Sequence, residues 1–184
     1  MIQLLVSGLR RVPAWPMAGL LVVAFLLCDF AFGWRSDQLF SPDKVLDARG
    51  WYSPDEAKVL FERLGDEGRL LYAKTEVTLD LAFPFIYGTL FLLLTLRLYR
   101  EGVARRLILV PLIAMVADLL ENSLIAYLAW SFNGQASALT WVAALFTAIK
   151  TAAFVGALLV ILGGGIKGVM GKPGNSHAAS GEDA

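Results

Sequence analysis

The chain has 184 residues, is 57% hydrophobic and balances 16 basic against 16 acidic side chains. Soluble domains are about 45–50% apolar; here the excess falls in blocks, the mark of a membrane protein. Zero net charge gives no footprint for nucleic acid, a single cysteine (Cys28) excludes an intrachain disulfide, and a single histidine (His177) argues against paired-histidine haem ligation and His-rich zinc sites, so neither a metal nor a cofactor is expected.

Four apolar blocks follow in chain order, at residues 15–33, 77–98, 107–130 and 139–162. Each approaches the ~20 residues a helix needs to cross about 30 Å of hydrocarbon. No period-two alternation is present, which argues against a barrel. The spacing predicts an all-α, integral membrane, up-and-down four-helix bundle. It forms one transmembrane domain over 1–167, followed by a disordered Gly-, Ser- and Ala-rich tail over 168–184. Arg10 and Arg11 precede the first block. Arg97, Arg100, Arg105 and Arg106 lie between the second and third, and Lys167 and Lys172 follow the fourth. The turn at 131–138 has no charge. By the positive-inside rule both termini are cytoplasmic, and segment 34–76 and the uncharged turn face outward from a bacterial inner membrane. The basic start and the Ala31-Phe32-Gly33 end of the first block also permit a cleaved signal peptide. Leu26 and Leu27 before Cys28 make a poor lipoprotein signal, and an uncleaved span is the reading adopted.

Segment 34–76 is too polar to span. Ser53-Pro54-Asp55-Glu56 reads as a helix start, with a serine cap, proline in the first turn and glutamate three residues after the cap. Ala57, Leu60, Phe61 and Leu64 share one face of that helix, and Gly65 suits its end. The helix either lies on the membrane surface or forms an extracytoplasmic cap on the bundle. Asp66 can cap a second helix running unbroken into the second span. On such a helix Tyr72, Glu76, Asp80, Pro84 and Tyr87 form one stripe. In the alternative, Tyr72 and Glu76 are interfacial anchors and only Asp80 needs an internal partner.

Asp29, Asp80, Asp118, Glu121 and Lys150 are the ionisable residues inside the apolar blocks. Such groups are costly in a bilayer and normally face a bundle interior or a wet cavity. Pro84 lacks the N–H that would bond the carbonyl of Asp80, so that oxygen also needs a partner. Asp118, Glu121 and Asn122 project in similar directions from the third helix, and Thr147, Lys150 and Thr151 match them on the fourth. Asp118 and Lys150 each lie eleven residues from a span end, about 16 Å and so near mid-depth. Small residues such as Ala143, Ala144, Ala148 and Gly156 let the third and fourth helices approach. Lys150 can then reach Asp118 or Glu121. Asp29 and Asp80 share a depth nearer the outside. Four acids and one base leave minus three inside if all ionise, so some carboxyls must be protonated, share a proton or face a bound cation.

No Cys-x-x-Cys, Gly-x-Ser-x-Gly or phosphate-binding loop occurs, and Gly163-Gly164-Gly165 is expected to end the fourth helix. The residues Leu64-Gly65, Gly68-Arg69 and Tyr72, then Leu79-Asp80-Leu81-Ala82-Phe83-Pro84 and Tyr87-Gly88, then Asp118, Glu121-Asn122 and Lys150, give the chain its resemblance to a group of small uncharacterised bacterial four-span inner-membrane proteins. The resemblance implies a four-span fold and no activity. The expected function is an outward-facing polar cavity that binds or passes a cation, protons or a small polar or lipid headgroup. Asp80, Tyr87, Asp118, Glu121, Asn122, Thr147 and Lys150 would line it, with Asp29, Glu76 and Tyr72 nearby. Two other classes stay open. One is a membrane-embedded lipid-modifying enzyme using Glu121 or Asp118 as acid or base; the other is a structural subunit of a larger membrane complex. The expected partners are the lipid bilayer and a homo-oligomer or complex.

Overall fold

The structure, a computed structural model, describes residues 2–39 and 45–170, with side chains over 6–34 and 45–167. In chain order the elements are α1 (Ile2–Arg11), α2 (Ala14–Leu39), a 3-10 turn (Leu46–Ala48), α3 (Pro54–Glu76), α4 (Leu79–Leu98), α5 (Glu101–Leu107), α6 (Leu109–Trp130) and α7 (Leu139–Met170). Among the described residues there is no strand. Among the described residues three stretches are long and apolar enough to cross a membrane: Ala14–Trp34, Pro54–Leu98 and Leu139–Lys167. Leu20, Leu27 and Phe30 on α2, and Leu159, Leu162 and Ile166 on α7, lie exposed. Apolar faces this large are what lipid-facing helices present.

α6 is the hub. It packs against α3, α4 and α7, while α2 leans chiefly on α4. Its buried stripe includes Ala114, Ala117, Asp118, Glu121, Asn122 and Ile125, spaced so that one side of the helix carries both acids and the amide inward. Ala143 and Ala144 on α7 are fully buried, and such small side chains allow the backbones of α6 and α7 to approach closely.

α3 is built as its sequence dictates at the start. The Ser53 hydroxyl accepts from the Glu56 N–H, and the Glu56 carboxylate accepts from the Ser53 N–H at 2.7 Å, a reciprocal cap. Ala57, Leu60 and Phe61 are buried with Ile125, Leu128, Ala143 and Ala144, and Leu64 packs against the same cluster. The apolar face of α3 therefore covers the ends of α6 and α7. Gly65 takes φ 62° and ψ −176° and kinks the helix, a left-handed conformation open to glycine at no steric cost. The kink frees carbonyls of the preceding turn. Arg69 donates to Phe61 O at 3.2 Å, pairs with Asp66 and lies over the Phe132 ring. Asp66 thus faces Arg69 and makes no cap to the second half of the helix.

Two expectations about helix ends are corrected. α3 does not run unbroken into α4: Val77 and Thr78 leave helical geometry and α4 restarts at Leu79. The Thr78 hydroxyl donates to Lys74 O at 2.6 Å and its N–H to Thr75 O, a local arrangement that competes with the helical ladder. Gly163-Gly164-Gly165 does not end the last helix, which continues to Met170. A Cβ on Gly164 would sit 2.8 Å from Leu98 and Tyr99 atoms, and the Tyr99 hydroxyl donates to Val160 O at 2.7 Å. The glycines form a seat for Tyr99. The tail beyond Met170, with His177 and Lys172, lies outside the described residues.

At the opposite end from α3, Val6 of α1 is buried with Leu92, Leu96, Ala104 and Ile108. Arg97 donates to Arg10 O and Val12 O at 3.2 and 2.9 Å, meeting carbonyls that the end of α1 leaves without helical donors.

Candidate functional site

Pro84 sits inside α4, and the carbonyl it orphans is met from the neighbouring helix. Asn122 Nδ2 donates to Asp80 O at 2.7 Å. This contact fixes the register of α4 against α6 at the depth of the other ionisable groups.

Glu121, next to Asn122, and Asp118, one turn back, converge on α7. Lys150 Nζ lies 2.5 Å from Glu121 Oε2 and 3.3 Å from Asp118 Oδ1. The other Asp118 oxygen accepts from the Tyr87 hydroxyl at 3.0 Å. Thr147 Oγ1 lies 2.6 Å from Glu121 Oε1, 3.1 Å from Ala143 O and 3.4 Å from the Tyr52 hydroxyl. Asp118, Glu121, Asn122, Thr147 and Tyr87 are all buried. One cation therefore bridges two carboxylates from the same helix, and each carboxylate has a hydroxyl donor. Charges this deep persist only when paired and hydrogen-bonded.

Beside this network lies a cavity of about 560 Å³, within the common range for small-molecule sites. Asp29, Asp47, Asp80, Asp118 and Lys150 line it, along with Tyr72, Tyr87, Thr75 and Thr151. Phe32, Phe83 and Phe154 supply much of its apolar wall. The rings are in contact: Phe32–Phe83, Phe83–Tyr87 and Tyr87–Phe154 have centroids 5.3, 5.3 and 5.1 Å apart.

The described wall thus brings together Asp29, Tyr72, Asp80, Tyr87, Asp118 and Lys150 of the sequence-derived set. Glu121, Asn122 and Thr147 do not line it: Glu121 touches Lys150, Asn122 bonds the Asp80 carbonyl, and Thr147 reaches the wall only through Glu121. Asp29 is at the exposed rim. No hydrogen bond or ion pair holds the Asp80 carboxylate among the described residues. Tyr72 and Glu76 are not interfacial anchors, because both are buried. The Tyr72 hydroxyl accepts from Leu46 N at 3.1 Å and donates to Asp47 at 3.3 Å, clamping the 3-10 turn at the cavity rim. Glu76 is 1% exposed, and neither carboxylate oxygen has a hydrogen-bond partner among the described residues. An unpartnered carboxylate in that position demands a proton or a cation.

Sequence reasoning missed Asp47 and Tyr52. Both lie in the stretch before α3, where no periodicity reports which way a side chain points. Tyr52 is fully buried, and that burial pushes its phenol up, keeping the proton on the hydroxyl. Among the described residues no group of histidine, cysteine or carboxylate ligands is arranged to hold a metal ion. Compared with known proteins, the chain matches no family model, no curated sequence and no solved structure.

Proposed function

We propose that the chain is a four-span inner-membrane protein whose cavity, open toward the α3 side, binds or passes a cation or protons, or holds a small polar headgroup. The observation that carries this reading is the charge imbalance of the cavity wall. Four aspartates face one lysine, and that lysine is already bridged by Asp118 and Glu121. The Asp80 carboxylate has no hydrogen-bond or ion-pair partner among the described residues, on the wall of a space large enough for a ligand. A positive ligand is what such a wall stabilises.

The membrane setting has independent support. All five tryptophans are exposed. Trp15 and Trp34 stand nineteen residues apart on α2, about 28 Å by helical rise, close to the hydrocarbon thickness. Trp130 ends α6, and Trp51 packs on Trp141 near the start of α7, centroids 5.9 Å apart. Tryptophans placed so are the belts of a spanning bundle. α6, with 22 residues, is long enough to be the fourth span. The basic ends of α1, α4, α5 and α7 then lie in the cytoplasm, and α3 caps the outer face.

In this reading Lys150 is the internal counter-ion and Glu121 is the group that exchanges a proton. The test is cation-dependent proton flux in proteoliposomes loaded with a pH dye. The wild type should carry flux that Glu121→Gln and Asp80→Asn each reduce by about tenfold or more. Equal flux from wild type and both variants contradicts the reading. One observation favours a lipid-modifying enzyme as a second reading: Asp118 is both on the wall and hydrogen-bonded to Tyr87, as an acid or base acting on a bound headgroup must be. Comparing lipid extracts of wild-type and Asp118→Asn cells decides that case, since an enzyme leaves a changed headgroup profile.

A further inference from the structure

The cavity is lined from both sides by helices that scarcely touch. α2 contributes Asp29, Phe32 and Gly33; α7 contributes Lys150, Thr151, Phe154 and Val155. α2 packs on α4 and α3, and α7 packs on α6 and α4, so α4 forms the back wall between them. The lining residues on the two flanks are also surface residues. Gly33 and Thr151 are exposed, and Val155 is 49% exposed. One residue cannot both line the cavity and lie on the outer face of a lipid-facing helix unless the cavity opens there. The opening therefore extends laterally, between α2 and α7, toward the acyl chains, in addition to the exposed outer rim at Asp29 and Ala48.

Chemistry changes along this opening. Phe32, Phe154 and Val155 make an apolar mouth, and Asp80, Asp118 and the paired Lys150 make a polar floor with more acidic than basic groups. Phe83 and Tyr87 join the two. Aromatic faces accept both an alkyl chain and an ammonium group. Behind the floor the buried, unpartnered carboxylate of Glu76 adds to the same excess of acid over base.

Resting on the cavity reading above, we propose that the occupant is a membrane-dissolved amphiphile with a cationic amine head, admitted sideways between α2 and α7. The ammonium sits at Asp80 beneath the aromatic strip. The alkyl chain leaves past Phe154 and Val155 into the leaflet on the α3 side. A soluble inorganic cation would use the acidic floor and gain nothing from the apolar mouth.

The experiment uses the full chain in phosphatidylcholine nanodiscs, with dodecylammonium as probe and Asp80→Asn discs as the blank for partition into lipid. Saturable binding above the blank is expected. Ethylammonium should displace the probe about 100-fold less well, because about three to four methylenes held in the mouth each add roughly fourfold in affinity, the rest of the chain lying in the leaflet. Dodecanol should not displace it. Val155→Trp, which fills the mouth, should abolish binding of the long amine and leave binding of ethylammonium intact; Thr151→Phe serves if that variant does not fold. Displacement by dodecanol as effective as by the amine overturns recognition of the cationic head. Equal affinity for both amines, unaffected by the mouth variants, overturns lateral admission and leaves a cation-binding cavity standing. Folded wild-type protein that binds neither amine overturns this proposal, while proton flux in proteoliposomes judges the cavity reading separately.

Discussion

Asn122, Pro84 and Asp80 form a local test of how polar groups are satisfied in this interior. Asn122→Leu removes the donor to Asp80 O and should cost about 1–3 kcal/mol, the penalty of an unmet buried acceptor. Pro84→Ala returns a backbone N–H that can bond the same carbonyl, so the double variant should lose less than Asn122→Leu alone. Unfolding followed by circular dichroism in one detergent measures the cycle. Lys150 gives a second cycle. Lys150→Met strands two carboxylates and should destabilise by about 3–5 kcal/mol. Adding Glu121→Gln should recover more than adding Asp118→Asn, because Glu121 has no exposure while Asp118 faces the cavity and keeps the Tyr87 hydroxyl. Equal recovery would mean the two acids share the lysine evenly. The freed carbonyl of Asp80 was legible from sequence, since the effect of proline reaches four residues back and no further. Its donor was not, because the register between α4 and α6 is a tertiary fact. Asp47 was invisible for the same reason: only the clamp from Tyr72 brings it to the cavity.

Among the elements, α3 shows where local signals suffice and where packing overrides them. The cap of Ser53 and Glu56 is written within four residues, and Ser53→Ala should cost about 1 kcal/mol in thermal unfolding. The glycine kink at Gly65 was equally local. The break at Val77 and Thr78 was not, because apolar periodicity continues through it; hydroxyl-to-carbonyl bonds at Thr78 decide it. α7 errs in the other direction. Three consecutive glycines read as a helix stop in isolation, yet Tyr99 packs against them and the helix persists. A paired prediction follows from that contact. Gly164→Ala should destabilise by about 1–3 kcal/mol through overpacking. Gly165→Ala, which would meet nothing within 4 Å, should be neutral or stabilising by up to about 1 kcal/mol. Melting temperatures of the two variants separate these outcomes, and loss in both would show that the glycines are needed for flexibility and not for space.

For the whole molecule, sidedness and electrostatics are one question. If the cavity opens toward the outer face and its acidic wall is wet, a thiol placed there reacts from outside and prefers positive reagents. Thr151 lines the cavity without carrying charge, so Thr151→Cys reports the field and does not alter it. With Cys28→Ala as background, intact cells are treated with two impermeant thiosulfonates, one bearing trimethylammonium and one bearing sulfonate. The account predicts modification from outside, faster with the cationic reagent by about tenfold or more, with the preference reduced by Asp80→Asn. Modification from the cytoplasmic side only, absence of reaction, or equal rates with both reagents would contradict it.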